Sequence, residues 1–142
     1  MIRTVPISII QEGVYKTLTA CVEGYVIVDD STPFENGKMP KKSFGVIGPI
    51  TAVPEEAKTD TAIWNVTVTI DVYSNYPGKK EINAMVDDIV YILTAADITF
   101  EKYKNLNRTI EMVEIRAEDT ESGEIWQHGS VRIIFKVEQE RI

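Results

Sequence analysis

"WNVTVTIDVYSNYPGKKEINAM", residues 64–85, changes its hydrophobic period halfway along. Trp64, Val66, Val68, Ile70 and Val72 recur at every second position, with Asn65, Thr67, Thr69 and Asp71 between them. Successive side chains of an extended chain point to opposite faces, so this is a strand with one buried face. The alternation stops at "SNYPGKK". Pro77 has no N–H for a ladder and its fixed φ suits a first helical turn, so a helix is predicted from Pro77 onward. Ile82, Met85, Val86, Ile89 and Leu93 then form an apolar stripe, enough for about four to five turns. Val68, Ile70, Ile89 and Leu93 are expected to share one core. Lys79 and Lys80 fall at the helix start, where the dipole disfavours cations; exposed to water, they cost only tenths of a kcal/mol.

The same logic extends outward in both directions. In "ISIIQEGVYKTLTAC", Ile7, Ile10, Val14, Leu18 and Cys21 recur at three- and four-residue spacing, the pattern of a helix lying on a core. Ser8 with Gln11 resembles a capping box, while Pro6 would also suit the first turn. Gly13 inside this helix weakens it by about 1 kcal/mol relative to alanine. "GYVIVDD" reads as a short strand. Ser31–Lys42, with Pro33, Gly37 and Pro40, reads as a loop. "SFGVIGPITAV" is a strand interrupted at Gly48-Pro49, where the missing donor predicts an edge or a bulge. Pro54–Thr61 is a second polar loop. Near the C-terminus, Val131, Ile133, Phe135 and Val137 alternate with Arg132, Ile134, Lys136 and Glu138. With "IEMVEIRAED" before them and Ser122-Gly123 as a turn, they form two antiparallel strands joined by an acidic hairpin, Glu118–Glu124. The expected fold is therefore one α+β domain over residues 1–142. Its sheet is mixed but largely antiparallel, of four to five strands, with two helices packed on it.

Composition narrows the function. The chain has 142 residues, and its 22 acids against 15 lysines and arginines leave a net charge of −7. A surface that grips phosphates should be basic, so specific nucleic-acid binding is not expected, although DNA can pass close by without sticking. No apolar run approaches the roughly 20 residues of a membrane span. The N-terminal stretch lacks the apolar block of a secretory signal, so synthesis and folding in the cytoplasm are expected. One cysteine rules out an internal disulfide.

Reaction chemistry is sparse. His128 is the only histidine, so no histidine cluster can hold a metal. Cys21 sits on the apolar stripe of the first helix, where a buried, inert thiol is expected. Asp29-Asp30 and Asp87-Asp88 are sequence neighbours whose carboxylates diverge, and no glycine-rich phosphate loop is present. Trp64, Tyr73 and Trp126 lie on predicted strands and suit packing. No catalytic residue, cofactor site or metal site is assigned.

The segments "MPKKSFGVIGPI", "WNVTVTIDVYSNYPGKKEINAMVDDIVYIL" and "WQHGSVRIIFKVEQ", in this order, resemble the tail terminator (tail completion) family of long-tailed bacteriophages and prophages. The similarity lies in Pro40, Phe44 and Gly48, in Ser74, Gly78 and the helix from Glu81, and in Trp126, His128 and Val131–Val137. It spans nearly the whole chain from Ile10. The lysine pair before Ser43 departs from the pattern. The resemblance implies a non-enzymatic virion protein at the tail–neck junction. It would form a homo-oligomeric ring, commonly a hexamer, that caps the tail tube, stops its polymerisation and offers a surface for head joining. Its implied partners are the major tail tube protein and a head-completion or connector protein, with DNA passing through unbound. Large apolar residues in a polar loop suit an interface, which makes Phe34 and Met39, with Glu55 and Glu56 in the second loop, candidate contacts. Glu118, Asp119, Glu121 and Glu124 are candidate lumen-facing acids that would repel passing phosphates. Two alternatives stay open. One is another neck or head-completion ring protein or a tail-tube-like subunit; the other is a small α+β enzyme or ligand-binding domain, which would show a deep pocket in place of ring symmetry.

Overall fold

The computed structural model describes residues 3–28, 42–56, 61–119 and 125–140, residue 119 by its backbone alone. Candidates Phe34, Met39, Glu121 and Glu124, the Asp29-Asp30 pair, and most of the loop Ser31–Lys42 lie outside them. The elements run α1 (Ile7–Cys21), β1 (Val26–Val28), β2 (Phe44–Glu55), β3 (Ile63–Ser74), α2 (Lys80–Ala95), β4 (Tyr103–Asp119) and β5 (Ile125–Gln139). They build one five-stranded sheet of order β1-β2-β3-β5-β4. Only the β1–β2 pairing is parallel; the others are antiparallel. The fold is the expected α+β arrangement.

The strict alternation of β3 carries the architecture. Val66, Val68, Ile70 and Val72 are wholly buried, and their neighbours across the ladder, Phe135, Ile133, Val131 and Gly129, extend the same face onto β5. Both helices pack on that face: Ile10, Val14 and Leu18 of α1, and Ile82, Ile89 and Leu93 of α2, are fully buried in one cluster with the strand residues. The predicted core of Val68, Ile70, Ile89 and Leu93 is thus present. Gly129 lets α2 come this close, because a Cβ there would lie 2.4 Å from Val86 Cγ2. Gly13 has a similar reason to interrupt α1, since its Cβ would meet the Phe100 ring at 2.7 Å. The predicted irregularity at Gly48-Pro49 is a register shift between Ile47 and Ile50, beyond the part of β2 that β1 covers.

Several local expectations need correction. Helix α2 begins at Lys80, and Pro77 stays outside it, because Gly78 turns the chain at φ +114°, a conformation that glycine adopts without strain. The first turn is held by a side-chain cluster. Buried Ser74 donates to Glu81 Oε1 at 2.7 Å and accepts the Tyr76 N–H at 3.2 Å, while the Ser43 hydroxyl also donates to Glu81. The carboxylate sits where the helix dipole favours an anion. So the strand breaks at "SNYPGKK" because a turn and a serine–glutamate clasp there join β2, β3 and α2. At the other end of α2, Arg108 donates to Leu93 O at 3.0 Å and Ala96 O at 2.6 Å, satisfying open carbonyls. Helix α1 has no capping box; Pro6 is its N-cap, and the Pro6 carbonyl accepts from Ile10 N–H at 3.1 Å. Cys21 is exposed, not buried: it is the last residue of α1, three residues beyond Leu18, where the buried stripe of that helix ends. Pro54 and Glu55, expected in a loop, complete β2 by pairing with Trp64 and Ile63.

Candidate functional site on the open face of the sheet

Among the described residues no helix covers the second face of the sheet. Two cross-strand rows stand out there. One runs Val46, Asp71, Ser130, Glu114; the next runs Phe44, Tyr73, His128, Arg116, with Trp126 and Glu118 paired one step further. Directly opposed and diagonal neighbours in a sheet lie within reach of polar side chains. His128 uses both. Its Nε2 lies 2.8 Å from Asp71 Oδ1 and its Nδ1 lies 2.6 Å from Glu118 Oε1. Ser130 donates to the same Asp71 oxygen at 2.7 Å. Arg116 reaches Glu118 at 3.2 Å and Glu114 at 3.5 Å. Asp71, Glu114, Arg116, His128 and Ser130, with Met112 and Arg132, line a hollow of about 180 Å³.

The protonation state of His128 follows from geometry. A neutral imidazole donates from one nitrogen only, whereas an ionised carboxylate only accepts. Two carboxylate partners therefore require imidazolium, with an N–H aimed at each. Burial pushes its pKa down, but the hydrogen bonds and charges of Asp71 and Glu118 outweigh that, and the net shift is upward. For Asp71, burial raises the pKa, but the bonds from His128 and Ser130 win and the carboxyl is held below its ordinary value. Tyr73 stacks on the imidazole at 4.4 Å, and burial, then Asp71 and Glu118, push its phenol up to about 12. Phe44 stacks on Tyr73 at 5.0 Å and meets Trp126 edge-on at 6.0 Å, which keeps this end of the open face apolar around the charges.

The arrangement is a clasp, with its donors and acceptors turned on one another. The two carboxylates stand on different sides of the ring, so they do not converge with one nitrogen on a common ion. Ser130 donates to Asp71, and both imidazole nitrogens are occupied, so this histidine offers the serine no base. What the network does is tie the end of β4 to β3 across β5, at the root of the segment leading into the acidic hairpin. Glu118, expected as a hairpin acid, is instead a β4 residue engaged by His128 and Arg116. Asp119 closes β4 opposite Ile125. Glu55 is half-buried with Lys136 Nζ at 3.4 Å, and Glu56 is exposed beside it. Sequence reasoning missed Asp71, Arg116 and Ser130, and saw His128 as the single histidine and as a position of the family resemblance, without its partners. The sole signal was Asp71 on the polar side of a strict strand, without a register to say what it would face.

The fold and this network define a class: a one-sided sheet stiffened by two helices, a scaffold with its polar groups bound to each other. The chain belongs to a family of tail completion proteins, since residues 14–138 match the family described as "Tail completion protein gp17". Its role is structural, in the assembly of bacteriophage tails. Its fold is similar to a chain in the solved structure described as "Virion of native gene transfer agent (GTA) particle", with a TM-score of 0.73 and 16% identity. The similarity covers 96% of this chain and 99% of that one. No curated protein matches the chain significantly.

Proposed function

We propose that this protein is a tail terminator: copies of it close into a ring, a hexamer by the family resemblance, that caps the tail tube, ends its polymerisation and presents the surface for head joining. It catalyses no reaction and works at the tail–neck junction of the virion. The observation that carries this reading is the family match over residues 14–138. The acidic balance of −7 supports a ring that lets DNA pass without holding it. Ring contacts between copies are heterologous and close on themselves. Native mass spectrometry of the protein, alone and after incubation with tail tubes, should show six copies in one assembly. A monomer under both conditions would sink the proposal.

Within it, Phe34, Met39, Glu55 and Glu56 contact neighbouring copies or partners, and Glu118, Asp119, Glu121 and Glu124 face the lumen. The rigid sheet leaves such attached segments free to be shaped for a partner. Phe34→Ala with Met39→Ala should preserve the fold and give tails that fail to stop or fail to join heads, scored by electron microscopy. Changing the four acids to glutamine or asparagine should still cap tails but slow DNA delivery. Because Glu118 also holds His128, a set that spares it is the control. Normal head joining by the first variant and normal delivery by the second would refute the site assignment while leaving the family role untouched.

A further inference from the structure

The two edges of the sheet are finished differently. On one, β1 covers the start of β2, and the irregularity at Gly48-Pro49, with Pro54 beyond it, breaks up the remainder. On the other, β4 pairs with β5 alone, and no strand among the described residues lies on its outer side. Both register shifts of β4, at Asn105/Asn107 and Ile110/Met112, fall in its first half. From Met112 to Asp119 its pairing with β5 runs uninterrupted. Soluble proteins usually blunt an open edge with charged side chains, lysine above all, or with proline, a bulge or a covering segment. Met112–Asp119 contains neither lysine nor proline, and Val113 is 45% exposed. Such an edge offers a row of N–H and C=O groups to another strand.

The charges select the occupant. Along this run Glu114, Arg116 and Glu118 lie on the open face, and Val113, Ile115 and Ala117 on the helix side. Antiparallel pairing of the run with itself, centred on Ile115, sets Glu114 opposite Arg116 of the second copy, and Arg116 opposite Glu114. It also sets Val113 opposite Ala117. Opposite charges directly across an antiparallel pair attract and like charges repel. Centring on Glu114 would set Glu114 against itself; centring on Arg116 would set arginine against arginine and Glu114 against Glu118. Arg116 is more than half exposed, so it is available for the exchange.

We propose that two copies of this chain pair through Met112–Glu118 of β4 in the register centred on Ile115, joining two five-stranded sheets into one. This goes beyond the ring reading, because a two-fold contact closes at two copies and cannot by itself build a ring. The seam is short, below the roughly 1,200 Å² of stable complexes, so the dimer is expected to be weak and to depend on concentration.

Oxidative cross-linking tests it. In a Cys21→Ser background at high protein concentration, Val113→Cys with Ala117→Cys should give a covalent dimer. Either substitution alone should give roughly tenfold less, since in this register neither position faces itself. In sedimentation equilibrium, Arg116→Glu should weaken the dimer by roughly tenfold or more through like-charge opposition, and the swap Glu114→Arg with Arg116→Glu should restore it. Equal cross-linking by the single variants, no covalent dimer from the double one, or a swap as weak as the single reversal would overturn the seam. A hexameric ring without the 113–117 cross-link would overturn the seam and leave the ring standing; the cross-link with no ring on tail tubes would do the opposite.

Discussion

Ile89→Ala is expected to remove about 2–5 kcal/mol of folding stability, the cost of losing buried methyl and methylene groups and leaving a cavity. Ile89 is fully buried in the middle of α2, within the cluster that includes Val68 and Ile70 of β3 and Ile133 of β5. Collapse around the gap is hindered from both sides. The sheet beneath is a long hydrogen-bonded ladder, and α2 already sits so close to β5 that Gly129 is needed under Val86. Urea unfolding should show a lower midpoint with an unchanged slope, the sign of lost stability without a changed transition. Asp88→Ala, one residue away on the exposed side of the same helix, is the control and should stay within about 0.5 kcal/mol. A loss below that figure for Ile89→Ala would contradict its place in the core.

The second large effect lies in the clasp. His128→Ala leaves Asp71 and Glu118 without their shared cation, and hydrogen bonds to charged groups are worth about 1.5–3 kcal/mol, so a loss in that range is expected near pH 6. The pH dependence has a definite sign. His128 has a folded-state pKa raised above its ordinary 6.5, so its contribution is complete below that value and fades as pH rises through the folded one. Asp71 has a folded-state pKa lowered below 3.8, so its contribution is complete above that value and is lost as pH falls through the folded one. Stability from the clasp is therefore greatest between these limits and declines on both sides. His128→Gln replaces two N–H donors, one on each side, by an amide that donates only from its NH2 end, so it should remove the alkaline decline while retaining part of the stability. Because the chain has a single histidine, its imidazole resonances can be followed by NMR alongside urea unfolding at several pH values. An alkaline decline that persists unchanged in the glutamine variant would show that His128 is not its source.

Both predictions bear on how the molecule is organised for assembly. The helices stiffen one face of the sheet, and the clasp holds the other face together where β4 leaves for the acidic hairpin. A partner-binding segment rooted in such a frame can engage another protein without straining the core. The serine–glutamate clasp of Ser43, Ser74 and Glu81 plays the same part where the chain enters β2 from the long loop.

Amphipathic spacing alone determined the two helices, the buried face of β3 and the alternation of the last strand, β5. Periodicity is a local property: a period of two or of 3.6 residues follows from which side of an element is taken out of water. Pro49 announced its irregularity for a similarly local reason, the missing N–H. Element ends were read less well. The start of α2 at Lys80 depends on Gly78 taking a positive φ, and the exposure of Cys21 depends on where the buried stripe of α1 stops. The clasp was decided by tertiary structure alone. Asp71 and His128 stand 57 residues apart, and they meet because β3 and β5 pair in one register out of several that their alternation would allow. Hydrophobic alternation specifies which face a side chain takes; strand order and register specify its neighbours, and those are set by how the whole sheet buries its apolar side against the two helices.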